Sequence, residues 1–501
     1  MISRRNFMKT TAAGLFLPAL VGRATAAEPG AALTIPDVID TRGGGLESLD
    51  AITGKSSILQ GAETPTIGYS QSYLGPVIRA NRGETTRMTL GNRLDENISV
   101  HWHGLHIEGA QDGGPHSMVA PDETMDAVLD IDQPEATLWY HSHIHERTGP
   151  HVWYGLAGMM IIDDPDAANN GLPDTYGVDD IPLVVQDRNF ERNGNMTYAP
   201  RGPNLMMGYR GNEILVNGAI RPEASVPAGL VRFRILNGSN ARIYHFRFDD
   251  GRNFQQIASD GGLLQAPVMM NKLTLAPAER VEIVVDFSDG KAAQLLSLQD
   301  NNLEMQMMAR MIPAPTAIAD DGAFEVMRFS VDMAKPAIVT PLPAVFAGTP
   351  DPDFGEPVRR RIFSLDMMAS GGGGGMMGGG MGGGGGMMGG GGHATAINGV
   401  SMDMAVINEE VKLGETEIWE VHAAGMAHPF HVHGTSFKVL TDNGRAVDYA
   451  TTGMKDVVLV SGITEILVRF DRKADADIPY MYHCHILEHE DLGMMGQFTV
   501  T

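Results

Sequence analysis

Four His-x-His pairs, two toward each end of the chain, set the strongest constraint on how these 501 residues can fold. His101-Trp102-His103-Gly104 and His141-Ser142-His143 lie in the N-terminal third, and His431-Val432-His433-Gly434 and His483-Cys484-His485 lie near the C-terminus. On a β-strand, residues i and i+2 point to the same face, so each pair presents two imidazoles together. One such pair arises readily by chance, but four pairs use eight of the 17 histidines. Eight imidazoles exceed the needs of one ion and suit about three, and neutral imidazole accepts copper, zinc, iron or nickel.

The single cysteine narrows that choice. Cys484 sits between His483 and His485, so its side chain projects to the opposite face of the strand. His489 and Met494 follow in a Cys-x4-His-x4-Met spacing. Two histidines, one thiolate and a weak axial methionine make the ligand set of a blue-copper electron-transfer site. The second histidine must come from another strand, and His428 in His428-Pro429-Phe430-His431 is the candidate. An electron entering at the thiolate then has a route of two peptide units to whatever His483 and His485 bind.

Composition excludes several classes of function. Acidic residues outnumber basic ones 61 to 37, a net charge of −24 that repels phosphate backbones and anionic lipid, so nucleic-acid binding is not expected. One cysteine permits no internal disulfide and no cysteine-rich zinc site. The N-terminus reads as an export signal over residues 1–26: a twin-arginine pattern from Ser3 to Lys9, an apolar run from Thr11 to Val21, and a small-residue cleavage site at Ala24-Thr25-Ala26. That run is shorter than the roughly 20 residues a membrane span requires. Its removal takes away Arg4, Arg5, Lys9 and Arg23 and leaves a charge of −28. The mature chain is expected in the periplasm by way of the twin-arginine export machinery, with no membrane anchor and as a monomer.

Short β-rich runs punctuated by Gly, Pro, Asn and Asp recur, including Ile181–Asp187, Val231–Leu236, Val281–Phe287, Phe324–Val331 and Thr464–Phe470, whereas long helical periodicities are scarce. The expectation is an all-β chain of several sandwiches in series. Ile161-Ile162-Asp163-Asp164-Pro165 and the proline-rich stretch from Pro336 to Pro357 divide it into blocks 40–165, 180–335 and 355–501, with 28–60 as a loosely structured leader. Residues 371–392 are all Gly or Met, the methionines being Met376, Met377, Met381, Met387 and Met388. So much glycine opposes a single packed structure. A plain linker needs no thioethers, so this segment reads as a mobile copper-binding loop. Met305, Met307, Met308 and Met311 form a second cluster, which core filling explains equally well.

These motifs together resemble the multicopper oxidases of the three-cupredoxin-domain type, and among them the bacterial periplasmic cuprous (copper efflux) oxidases with laccase-like activity. The resemblance covers nearly the whole mature chain. It implies three consecutive cupredoxin-like Greek-key β-sandwich domains and four copper ions. His428, Cys484, His489 and Met494 would bind the type 1 copper. His101 and His431 would hold the type 2 copper, and His103, His141, His143, His433, His483 and His485 the type 3 pair. The middle block would be free of copper, since it contains only His245. Dioxygen would be reduced to water between the first and third domains, with Asp112 and Glu490 as proton relays. Relatives that have become structural proteins lack these ligands, whereas this chain keeps them all.

The motifs leave the electron donor open among Cu(I), Fe(II), phenols and other aromatics. Soft, uncharged thioethers favour Cu(I), so methionines beside the type 1 site argue for a cuprous substrate. By resemblance, Met426 matches a substrate-copper methionine, with Asp366, Met367 and Met368 as further ligands, although Ala424 stands where the cuprous oxidases carry an acid. The leading expectation is oxidation of Cu(I) to Cu(II) coupled to reduction of dioxygen to water, in copper tolerance. The alternatives are a laccase-like oxidase of phenolic compounds and a copper-sequestering protein without turnover.

Overall fold

The computed structural model describes residues 30–167, 169–298, 323–349, 351–367 and 395–501. Among the described residues there are six sheets, two to each of three successive cupredoxin-like sandwiches. The five β-rich runs singled out above form strands Asp180–Arg188, Leu230–Asn237, Arg280–Asp286, Phe324–Asp332 and Ile463–Arg469. Each sandwich closes on its own apolar core: Leu49, Ile78, Leu90 and Tyr140 in the first, Leu183, Phe233, Phe246 and Phe329 in the second, and Phe363, Trp419, Phe430 and Phe498 in the third. A further cluster containing Trp139, Trp153, Leu215, Leu236 and Leu487 draws residues from all three and welds them along one seam. Among the described residues, no helix is long and apolar enough to cross a membrane.

The leader expectation fails. Residues 38–56 belong to the first sandwich: strand Val38–Asp40 pairs in parallel with Val77–Asn81, and strand Leu46–Ser56 lies between Thr64–Tyr69 and Thr85–Asn92. The run of Gly43, Gly44 and Gly45 and the charges at Glu47 and Asp50 mask the period-2 signal, yet Leu49 and Ala51 point inward and are fully buried. The 371–392 segment and the Met305–Met311 cluster lie outside the described residues.

Two strand registers set up the functional region. In the third sandwich, His428–Val432 runs antiparallel to Tyr480–Cys484, which puts His431 opposite His483 and Phe430 opposite Cys484. In the first, His101 forms an isolated antiparallel bridge with His141, each backbone N–H bonding to the other's carbonyl at 2.8 and 3.1 Å. The four pairs thus approach as two cross-strand couples, one from each end of the chain.

Candidate metal centre

The eight imidazoles of the four pairs meet in one fully buried cluster between the first and third sandwiches. His143, His433 and His483 form one group whose ligand atoms lie within 4.8 Å of one another; His103, His141 and His485 form a second, and His101, His103 and His431 a third. Nε2 of His143 and Nε2 of His433 each lie 3.2 Å from Nε2 of His483. Rings from opposite ends of the chain stack face to face: His103 on His431 at 3.7 Å between centroids, and His101 on His433 at 3.9 Å.

Outer hydrogen bonds decide which nitrogen faces inward in five of these rings. His101 donates from Nδ1 to the Asp112 carbonyl (2.9 Å), His433 to Asp112 Oδ2 (2.7 Å), His431 to the Asp456 carbonyl (2.8 Å) and His141 to the Ser142 carbonyl (2.9 Å). Nε2 of His101, His141 and His431 is left buried without a hydrogen-bond partner. His103 is reversed: Nε2 donates to Asp456 Oδ1 at 3.1 Å, so its unpaired nitrogen is Nδ1. Burial first, and the neighbouring rings second, hold the pKa values of His103, His431, His433 and His485 well below the usual range, so these rings are neutral and offer lone pairs. Each buried unpaired polar atom costs about 1–3 kcal/mol. Several such nitrogens aimed at common points fit bound metal cations and little else.

On the other face of strand Tyr480–Cys484, the Cys484 sulfur lies 3.4 Å from Nδ1 of His428 and 3.6 Å from Nδ1 of His489, and those two nitrogens are 3.3 Å apart. His489 donates from Nε2 to the Met206 carbonyl at 3.0 Å, which turns its Nδ1 lone pair toward the sulfur. The Ile486 N–H points at the same sulfur from 3.4 Å. Met494 is fully buried in the apolar cluster that contains Cys484, and its carbonyl accepts the Cys484 N–H at 3.0 Å. Burial pushes the thiol well up, so a thiolate here requires a cation beside it. Two imidazole nitrogens, one sulfur and a buried thioether are the donor set that copper prefers.

Residues 51–167 and 386–501 each match a family model described as multicopper oxidase. Multicopper oxidase mco of Staphylococcus haemolyticus is 32% identical over 459 residues, 91% of this chain and 88% of that protein. The chain belongs to the multicopper oxidase family. A solved structure of a laccase-like multicopper oxidase CueO from Ochrobactrum sp., described as having oxidase activity towards lignin model compounds and lignosulfonate, superimposes with a TM-score of 0.82 at 38% identity, covering 94% of this chain and 100% of that one. Cell division protein FtsP of Xenorhabdus nematophila is 31% identical over 501 residues, 100% of this chain and 98% of its own.

Around this oxidase's clusters, the two acids expected as relays are both buried against imidazoles. Asp112 Oδ2 accepts from His433 and lies 3.3 Å from Nδ1 of His101. Glu490 bridges two rings, with Oε2 3.2 Å from Nδ1 of His483 and Oε1 3.5 Å from Nδ1 of His143. Burial alone would raise the Glu490 carboxyl, but His143 and His483 outweigh it and hold the group well below the usual carboxylate range. Met367 and Met426 pack against the apolar cluster that holds Cys484 and Met494. The register sets Leu365 beside Ala423, so both methionines leave from the same end of that sheet. Asp366 is occupied locally, accepting from Ser364 Oγ at 2.9 Å and Gly399 N–H at 2.7 Å. Met368 lies outside the described residues. His106, His116, His151 and His422 bond instead to Ser436, Gln497, Ser142 and Glu420. Sequence reasoning missed Asp456 and its partner Arg280, which belong to no motif and meet the cluster only through the three-dimensional junction.

Proposed function

We propose that this multicopper oxidase takes electrons from Cu(I) and delivers them to dioxygen, in the periplasm and in the service of copper tolerance. Four Cu(I) each lose one electron, one dioxygen takes four electrons and four protons, and two waters leave. When bound, a type 1 copper at His428, Cys484, His489 and Met494 supplies one-electron acceptance, while a type 2 copper at His101 and His431 and a type 3 pair at His103, His141, His485 and His143, His433, His483 supply dioxygen reduction, four coppers in all. The backbone from Cys484 to His483 and His485 would link the two centres covalently. Asp112 and Glu490 hold and hand on protons at the oxygens that face His433 and His483.

The observation that carries the cuprous reading is the thioether pair Met367 and Met426 against the Cys484 core, at the sheet end from which the Gly/Met segment 371–392 departs. Met426, with Asp366, Met367 and Met368, is the substrate-copper site in this reading. Ala424, which is exposed, leaves that site without one carboxylate. The twin-arginine signal at residues 1–26 supplies the export route. A laccase-like reading has its own support in the Ochrobactrum enzyme, described as oxidising lignin model compounds.

Oxygen uptake by the copper-loaded protein decides between them, with Cu(I) or a phenol as sole donor and with residues 371–392 present or deleted. Fast Cu(I)-driven uptake that falls on deletion supports the cuprous oxidase. Fast phenol turnover with little response to Cu(I) overturns it in favour of a laccase. Bound copper without uptake from either donor leaves a sequestering protein.

A further inference from the structure

The middle sandwich contributes no residue to the imidazole cluster, yet one of its side chains reaches it. Arg280, on strand Arg280–Asp286, is fully buried and grips Asp456 in a two-pronged ion pair, Nη1 to Oδ1 at 2.7 Å and Nη2 to Oδ2 at 2.6 Å. The same Asp456 accepts from His103 Nε2 on Oδ1 and from His431 Nδ1 on its backbone carbonyl. Arg280 is fixed in turn: its Nε donates to the Thr137 carbonyl at 3.1 Å, on the strand that ends in His141, and its backbone N–H donates to Asp260 Oδ1 at 2.7 Å.

Stability does not account for this pair. Burying two ions costs several kcal/mol each before their attraction is counted, and replacing such pairs with packed apolar side chains is often neutral or stabilising. The chain also leaves room for the pair at some cost. Gly104, directly after His103, has φ +92°, and a Cβ there would stand 2.7 Å from both Arg280 Nη2 and Asp456 Oδ2.

We propose that Arg280 and Asp456 are positioning residues for the histidine cluster, through which the copper-free middle sandwich sets the tautomer of His103 and the orientation of His103 and His431. A carboxylate at Asp456 Oδ1 requires a proton on His103 Nε2 and so directs Nδ1 to the metal side, opposite to the usage of His101, His141 and His431. The two-pronged ion pair with the guanidinium holds that carboxylate in place. This rests on the reading that the imidazoles hold copper.

The test compares wild type with Arg280→Lys, Asp456→Asn and the conservative Asp456→Glu, all copper-loaded. The comparator is Arg234→Lys, which disturbs buried ion pairs of the middle sandwich with Asp180 and Glu282 that touch no imidazole. Copper per chain, the blue absorption of the Cys484 site, the paramagnetic resonance of the type 2 copper and kcat against KM for the electron donor are read together. In Arg280→Lys and Asp456→Asn the blue absorption and KM are expected to persist, while the type 2 resonance changes and kcat or trinuclear copper affinity falls about 10- to 100-fold. Asp456→Glu is expected to recover part of the loss, and Arg234→Lys to lower stability alone. An unchanged type 2 resonance and kcat in Arg280→Lys overturns the proposal, as does an equal change in Arg234→Lys. If Asp456→Asn does not fold, Arg280→Lys decides the matter. Wild type that binds no copper would instead sink the reading on which the proposal rests.

Discussion

His483 and Cys484 are consecutive residues that serve opposite faces of one strand: Nε2 of His483 lies 3.2 Å from the ring nitrogens of His143 and His433, while the Cys484 sulfur faces His428 and His489. If the two clusters hold copper as proposed, the alternation of a β-strand is enough to join the electron-entry site to the dioxygen site by covalent bonds. Replacing Cys484 by Ser should remove the blue absorption and about one copper per chain, because a hydroxyl does not supply the soft sulfur donor. Oxygen uptake should cease with every donor while the type 2 resonance persists. Absorption, metal analysis and an oxygen electrode check this together, and retained turnover would mean that electrons enter elsewhere.

Asp112 and Glu490 each touch the imidazole cluster through ring nitrogens that face outward. Neutral isosteres keep the shape and remove the proton acceptor. Asp112→Asn and Glu490→Gln should each lower kcat by about 10²- to 10⁴-fold, the usual scale for a lost general acid or base. The blue absorption and KM for the electron donor should be unaffected. Stopped-flow reoxidation by dioxygen should locate the loss in that half of the cycle.

Much of this was legible in the sequence because the clustered histidines come in period-2 pairs at the ends of extended segments, where spacing alone reports the shared face. The second group was legible for a different reason, the short local spacing of Cys484, His489 and Met494, with His489 on helix Leu487–Asp491 rather than on the strand. The first sandwich was underread at its start, since strand Leu46–Ser56 shows only Leu49 and Ala51 to the core and hides behind three glycines. Asp456 and Arg280 were invisible for a different reason. They are 176 residues apart and meet only where the sandwiches dock, and no local period records a contact of that kind. Asp112 is intermediate: it falls in no pair, but resemblance named it, and its carboxylate accepts a hydrogen bond from His433.

Removing copper should destabilise the protein well beyond the cost of losing an ordinary ligand. The inward nitrogens of His101, His141 and His431 and both nitrogens of His485 have no hydrogen-bond partner and are out of reach of solvent. Each costs about 1–3 kcal/mol when unpaired. Any ion bound only by the folded chain adds stability through mass action. Calorimetry before and after chelation should show the midpoint falling by many degrees and returning when copper is restored. Equal midpoints would argue against metal occupancy of the cluster.

Acid should loosen the middle sandwich through Glu282. Burial opposes its ionisation, but Arg232 and Arg234 outweigh burial, aided by the Thr137 hydroxyl, and hold its pKa at about 2 against an ordinary 4.5. A carboxyl depressed in the folded state contributes stability that is fully present above its unfolded pKa and is lost as pH falls from about 4.5 through 2, on the order of 3 kcal/mol for this shift. Urea midpoints of wild type should therefore fall across that window. Glu282→Gln should start from a lower midpoint and show a shallower acid dependence. Parallel pH profiles would show that Glu282 contributes little to the acid limb.

Gly104 offers the sharpest separation of backbone strain from site disruption. Its φ of +92° disfavours any Cβ, and the Cβ would also press on Arg280 Nη2, Asp456 Oδ2 and, at 2.9 Å, Leu138 Cδ2. Gly444, in the turn after strand Lys438–Asp442, has φ +73° and nothing within 4 Å of its Cβ position. Alanine at Gly444 should therefore cost only the left-handed backbone penalty, about 1–2 kcal/mol, with copper content and turnover unchanged. Alanine at Gly104 carries a comparable penalty and must in addition move a buried ion pair that holds His103 and His431. Thermal melts should show Gly104→Ala as the more destabilised of the two. Metal analysis should show it retaining the blue site while losing copper from the histidine cluster. If the two variants lose the same stability and both keep their full copper complement, the space beside His103 is not what requires glycine there.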